Sequence, residues 1–180
     1  MKIKHIMTKE DIARAVTRIA HEVVEKNKGS DDLAIVGIRT GGARVAARLW
    51  KTIKGIEKKE IPLGVLDITL YRDDLSEIGP QPQVFATEID FDISGKRIIL
   101  VDDVLFTGRT IRCALDQLID YGRPKCIQLA VLVDRGHREL PIKADYVGKN
   151  IPTTIKEEVF VRFEEDAGMD EVTVGLRKNG

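Results

Sequence analysis

The residues best suited to chemistry lie in one run, Val101-Asp102-Asp103-Val104-Leu105-Phe106-Thr107-Gly108-Arg109-Thr110. It joins two acids to a turn of hydroxyl-bearing residues, a glycine and a cation. A glycine-containing turn that opens a helix offers free backbone N–H groups and the positive end of the helix dipole, which suit a phosphate. Thr107 and Thr110 add hydroxyl donors and Arg109 adds charge. Asp102 and Asp103 repel a phosphate, so ribose hydroxyls or a metal ion are their natural partners. The run therefore fits a ligand with a phosphate at one end and a diol at the other. It also fits a plain strand–turn–helix whose aspartates are solvated or cap the helix. The signatures G-x-x-x-x-G-K-[ST] and G-x-G-x-x-G do not occur.

The flanking pattern says how such a run is held. RIILV, Arg97 to Val101, predicts a buried strand with the acids coming off its carboxyl end. A helix is expected from about Thr110 to Tyr121, stopped by Gly122 and Pro124. LAIVGI, Leu33 to Ile38, predicts another buried strand, followed directly by Arg39-Thr40-Gly41-Gly42 and a helix from about Ala43 to Ile53. Further strands are expected at Pro62 to Tyr71, Cys126 to Asp134, Asp145 to Val147, Val159 to Phe163 and Val172 to Leu176. Thr8 to Lys28 reads as an amphipathic helix with Thr8 and Asp11 as a capping box. Arg72 to Val84 breaks the pattern with one glycine and two prolines, and predicts a functional loop or β-arm. Alternating strands and helices predict an α/β fold, with a mostly parallel sheet covered on both faces and no division into two domains.

Composition narrows the classes. Hydrophobic residues make up 43% of the 180 residues and charged residues 32%, which argues against disorder. Lys plus Arg and Asp plus Glu both number 29, so any nucleic-acid role must come from a local basic patch. Cys113 and Cys126 have no zinc-ligand spacing and read as two buried reduced thiols. The N-terminus turns charged too soon for a signal peptide, and no run approaches the length of a membrane span. A cytoplasmic protein is expected.

The run VDDVLFTGRT resembles the phosphoribosyl pyrophosphate signature of type I phosphoribosyltransferases: apolar residues, two acids, a spacer, then TG-x-T. The resemblance implies that fold, with a small hood. It also implies that Asp102 and Asp103 hold the ribose hydroxyls while Thr107, Gly108, Arg109 and Thr110 hold the ribose phosphate, with Val104, Leu105 and Phe106 lining the stretch between. Arg39, Thr40 and Gly41 fall at the family's pyrophosphate loop, and Arg72 falls in its closing loop; both arginines would neutralise the leaving group. Mg²⁺ would arrive with the substrate, with water bridging it to Asp102 and Asp103. Purine enzymes of the family often carry an aspartate just before the TG, where this chain has Phe106, so a pyrimidine is favoured and no general base is assigned.

From the first helix to about Pro152 the chain resembles the bifunctional pyrimidine operon attenuation regulators and uracil phosphoribosyltransferases, with LVDRGHRELP and VGKNIPT as distinctive runs. That likeness implies conversion of uracil and phosphoribosyl pyrophosphate to UMP and pyrophosphate, with Val133 and Asp134 beside the base. It also implies binding of an RNA hairpin from the pyrimidine message, favoured by UMP or UTP, and assembly as a homodimer or higher oligomer. On the first helix, Arg14, Thr17, Arg18 and His21 gather opposite Ile12, Val16, Ile19 and Val23. Such a face alone is commonly just solvated. The family likeness points instead to Thr17, Arg18, His21, His137, Arg138 and Lys149 as RNA contacts. A salvage phosphoribosyltransferase for uracil or a purine, without RNA, is the alternative.

Overall fold

The computed structural model describes residues 3–69 and 86–176. The loop expected at Arg72 to Val84, with Arg72 itself, lies outside the described residues. Five strands form a parallel sheet: β2 (Leu33–Ile38), β3 (Leu63–Leu66), β4 (Arg97–Leu105), β5 (Cys126–Asp134) and β6 (Tyr146–Asn150), in the order β3-β2-β4-β5-β6. A second, antiparallel sheet takes β1 (Lys4–Met7) from the start of the chain and β7 (Glu157–Arg162) and β8 (Glu171–Leu176) from its end, in the order β1-β8-β7. This second sheet is the hood.

Alternation inside the strands explains why the main sheet needs cover on both faces. Ile35, Ile99 and Val101 join a core with Val16, Ile19 and Val23 of α1 (Lys9–Asn27) and Val45, Leu49 and Ile53 of α2 (Gly41–Glu57). Their neighbours Ala34, Val36, Ile98 and Leu100 face the other way, against Ile111, Ala114 and Leu118 of α3 (Arg109–Asp120). So the helix after β2 and the helix after β4 lie on opposite faces. Between β2 and β4 the winding reverses, and a crevice opens at the carboxyl ends of those two strands. Ligands of open α/β sheets bind at such a switch.

α1 begins as predicted. Thr8 N–H donates to Asp11 Oδ2 at 3.0 Å, and Asp11 N–H donates to Thr8 Oγ1 at 3.3 Å. Several boundaries differ from expectation. Of the strand expected over Pro62 to Tyr71, the described residues form strand at Leu63–Leu66 and residues 70 and 71 lie outside them, while the helix expected to end near Ile53 runs on to Glu57, past Gly55. β4 runs four residues beyond Val101, because the parallel register with β5 continues to Leu105↔Asp134. Asp102 and Asp103 therefore sit within the strand rather than after it. β1 and the one-turn helix α4 (Glu164–Ala167) carry no periodic pattern long enough to predict. Cys113 is buried as expected, but Cys126 is exposed, because it starts β5 at the sheet's amino-terminal rim.

Ion pairs fasten the connection between β7 and β8 to α2 and to the start of α1. Arg48 reaches Glu165 Oε2 at 2.6 Å and Asp170 Oδ1 at 2.7 Å, and its guanidinium lies 5.0 Å from the centre of the Phe163 ring. Arg44 meets Asp166 at 2.6 Å, and Lys9 meets Glu164 at 2.6 Å. Asp170 is the buried member, with 4% of its side chain exposed, and Arg48 holds its carboxyl below the usual range. Arg48→Ala strands that carboxylate. A loss of about 2–3 kcal/mol is expected, less than for a fully buried pair because Arg48 itself is partly exposed. Asp170→Asn, which leaves no bare charge, is expected to cost less. Thermal unfolding of both variants checks the order.

Candidate functional site

The crevice between β2 and β4 is built by a close approach of backbone to carboxylate. A side chain at Gly41 would put its Cβ 2.0 Å from Asp103 Oδ2, and one at Gly42 would put it 2.5 Å from the Val101 carbonyl oxygen. Only glycine lets the start of α2 come this near the end of β4. Asp102 is buried and Asp103 half-buried. Asp103 N–H donates to Asp102 Oδ1 at 3.0 Å, and Val104 N–H donates to Asp103 Oδ1 at 2.8 Å. Burial, and after it the neighbouring charge of Asp103, pushes the Asp102 carboxyl well above the usual carboxylate range; burial raises Asp103 as well. Two crowded, poorly solvated acids call for hydroxyl donors or a cation.

On the β2 side, Arg39 N–H donates to the Leu66 carbonyl, and its guanidinium reaches Ala86 O at 3.2 Å and Glu88 Oε1 at 3.1 Å. The Arg39–Thr40 peptide is cis. Thr40 stands at the start of α2 with its hydroxyl making no cap, and it is exposed at the crevice. On the β4 side, Gly108 adopts φ 93°, a left-handed turn that leads straight into α3. Arg109 N–H donates to Thr107 Oγ1 at 3.3 Å, and Thr110 occupies the first turn of the helix. The Leu105 side chain is buried. Phe106 lies half-buried under the guanidinium of Arg135, 3.9 Å from the ring centre, with His137 edge-on at 6.1 Å.

The remaining expected site residues fall in different places. Val133 is fully buried in the core beneath α1 and α2. Asp134 ends β5 beside Leu105 and is paired with Arg138. Thr17, Arg18, His21 and Lys149 share one surface where α1 meets β6. There Arg18 donates to the Val147 and Gly148 carbonyls at 3.0 and 2.7 Å, and Lys149 donates to Ile6 O at 3.1 Å. Thr17 returns its hydroxyl to Ala13 O, and His21 is exposed. His137 and Arg138 form a second group on the turn after β5. His137 has φ 62° and its Nε2 lies 2.6 Å from Thr153 O. Arg138 points inward, donating to Phe106 O at 2.8 Å and Ile142 O at 2.9 Å.

Two neighbours of the site carried no sequence signal of their role. Arg135 is buried and ties the Phe106 ring to the connector ahead of the hood, through Thr153 Oγ1, Thr154 O and Glu157 O. Glu139 pairs with Arg109 at 2.6 Å across 30 residues of sequence. Neither contact follows from spacing along the chain. Among the described residues no group of three or more His, Cys, Asp or Glu side chains is placed to hold a metal ion. Nor is any described helix long and apolar enough to cross a membrane.

Comparison with known proteins identifies the arrangement. The model of the phosphoribosyl transferase domain matches residues 3–167. The bifunctional protein PyrR of Pelotomaculum thermopropionicum is 58% identical over 169 residues, covering 94% of this chain and 93% of that protein. That of Thermus aquaticus is 62% identical over 167 residues, covering 93% and 92%. Among solved structures, a hypoxanthine-guanine phosphoribosyltransferase of Bacillus anthracis superposes with a TM-score of 0.75 at 20% identity, covering 97% of this chain and 100% of that one. That likeness extends to the fold alone. The switch-point crevice, the paired aspartates and the full-length relatives agree: the chain belongs to the phosphoribosyltransferase family and, within it, to the bifunctional PyrR proteins.

Proposed function

We propose that the crevice between β2 and β4 is the site at which this chain handles phosphoribosyl pyrophosphate and UMP. As a member of the bifunctional family, the chain regulates pyrimidine operon attenuation by binding RNA and is a uracil phosphoribosyltransferase. The observation that carries the site assignment is the pair Asp102 and Asp103, pressed against Gly41 and Gly42, with the Thr107–Thr110 turn beyond them. The reading takes residues 1–180 as one catalytic and regulatory domain.

The aspartates would accept hydrogen bonds from the ribose hydroxyls, which relieve the burial of two like charges. The N–H groups at the start of α3, with the Thr107 and Thr110 hydroxyls and Arg109, would hold the ribose phosphate. Arg39, Thr40 and Gly41 would face the diphosphate, with Arg72 contributing from the segment outside the described residues. In the reaction the uracil N1 attacks the anomeric carbon and loses its proton, and the bond from that carbon to pyrophosphate breaks. The transition state gathers positive charge on the ribose ring, as in glycoside cleavage, and negative charge on the leaving group. Buried carboxylates beside the ring and arginines beside the diphosphate stabilise these two charges. Mg²⁺ bound with the diphosphate would supply further neutralisation. Two aspartates with no third His, Cys, Asp or Glu grouped beside them among the described residues suit an ion that keeps several waters. Val133 and Asp134 border the base region, and Phe106 replaces the acid that serves a purine.

The RNA surface is assigned to Thr17, Arg18, His21 and Lys149 on one side and to the turn of His137 and Arg138 on the other. Arg18 and Lys149 spend donors on backbone carbonyls, which fixes their charges at set positions for phosphate recognition. Arg138 works from inside, setting the turn against the Phe106–Arg109 loop. The partners in solution would be copies of the same chain.

Asp103→Asn separates the catalytic and structural roles of the pair. Turnover of phosphoribosyl pyrophosphate with uracil is expected to fall by about 100-fold or more, as when a transition-state contact is lost. The ligand-free variant is expected to be more stable than the parent by about 1 kcal/mol at neutral pH, since one repelling charge is removed while the acceptor for Val104 N–H remains. The sign with pH follows from the raised folded values. Stability due to the pair is greatest at acid pH and falls as pH rises through them, so the gap between variant and parent closes on acidification. Unfolding curves at several pH values check this. Binding of a pyrimidine-operon leader hairpin, at fixed salt with and without UMP, tests the regulatory role. Nanomolar-class binding that tightens with UMP is expected; no specific binding in either condition would leave a salvage enzyme.

A further inference from the structure

The loop Phe106–Arg109 and the turn Gly136–Leu140 are bonded into one body. Glu139 N–H and Leu140 N–H both donate to Thr107 O, at 2.9 and 3.2 Å. Arg138 Nη1 donates to Phe106 O at 2.8 Å, and Arg109 Nε donates to Glu139 Oε2 at 2.6 Å. Three of these contacts run between backbone groups or onto them. They tether the two segments through backbone groups. The fourth joins two side chains, each 51% exposed, and can be exchanged.

Arg109 is also the cation of the phosphate loop in the assignment above. Glu139 thus places a carboxylate on the guanidinium that a ribose phosphate would use. A phosphate brings more charge than a carboxylate and gains the loop N–H groups as well, so it is the stronger anion at this position. Glu139 has the geometry of a resident competitor. Its release would change the charge and freedom of the turn that carries His137 and Arg138.

We infer that Glu139 couples the nucleotide site to the RNA surface. Without nucleotide its carboxylate occupies Arg109; the 5′-phosphate of bound UMP takes Arg109 over, and the released Glu139 lets the 136–140 turn adopt its RNA-binding arrangement. The inference rests on the assignments of the phosphate loop and the RNA surface made above. Coupling of this kind is reciprocal. Removing the competitor tightens UMP binding and raises RNA affinity without UMP, and it shrinks the factor by which each ligand helps the other.

The test is Glu139→Gln in the full chain. UMP affinity is measured by calorimetry, and affinity for the leader hairpin is measured with and without UMP at fixed salt. Glu139 is an exposed turn residue, so the variant keeps the fold. UMP binding is expected to tighten about twofold to fivefold, the scale of a half-exposed ion pair. The ratio of RNA affinities with and without UMP is expected to fall toward one. The ratio is the readout because removing any acid near RNA raises affinity in both conditions alike. Unchanged UMP affinity would overturn the competition, and tighter UMP binding with an unchanged ratio would overturn the relay. Absence of RNA binding by the parent chain would instead overturn the regulatory reading, and the UMP measurement would still decide whether Glu139 competes at Arg109.

Discussion

Everything at the site depends on how closely the start of α2 can approach the end of β4. Gly41 and Gly42 bring a backbone turn within contact distance of Asp103 and the Val101 carbonyl, closer than any Cβ would permit. That approach draws together two loops separated by about sixty residues of chain. It also buries two like charges against each other, an arrangement that is costly until a ligand answers it. The ligand-free protein thus carries an electrostatic cost concentrated at the proposed substrate site. Functional sites commonly hold such perturbed acids, because the perturbation is what makes the ligand's hydroxyls or cation favourable there.

The surrounding fold keeps that strained corner in place. A parallel sheet buried on both faces supplies rigidity, with β4 at its centre, β2 beside it, and helices packed on both faces. The hood adds a second constraint. Arg48 couples it to the same helix whose first residues are Gly41 and Gly42, so hood position and the Arg39–Gly42 turn share one rigid element. From the other side, Arg135 links the Phe106 ring to the connector leading into β7. The hood is therefore braced from two directions by arginines, each of which bonds to several partners at once.

The two activities of the family meet in a short stretch of structure. The turn after β5 and the Phe106–Arg109 loop after β4 are neighbours because β4 and β5 are paired through to Leu105 and Asp134. On the proposed assignment, a nucleotide at one would lie within a hydrogen bond of the other. Under the proposed coupling no long-range path would be needed, since Phe106 O, Thr107 O and Arg109 are bonded directly to the turn that carries His137 and Arg138. The surface on α1 and β6 is attached more indirectly, through the β5–β6 pairing that sets Lys149 beside Val133.

The sequence by itself determined the parts whose signal is local. LAIVGI and CIQLAVLVD form the strands their apolar runs predict, Thr8 and Asp11 form their capping box, and VDDVLFTGRT becomes a strand end, a left-handed glycine and a helix start. Strand and helix periodicity, caps and turn glycines depend on neighbours a few residues away, so they can be read along the chain. Only the tertiary structure decided the rest. β4 extends past Val101 because β5 lies beside it, Cys126 is exposed because its strand begins at a rim, and β1 exists only as a partner for β8. Arg138 turned inward, and the Arg109–Glu139 and Arg48–Asp170 pairs formed, because folding brought distant charges to the same place. Long-range pairing of this kind is set by how elements pack, and no spacing within the chain encodes it.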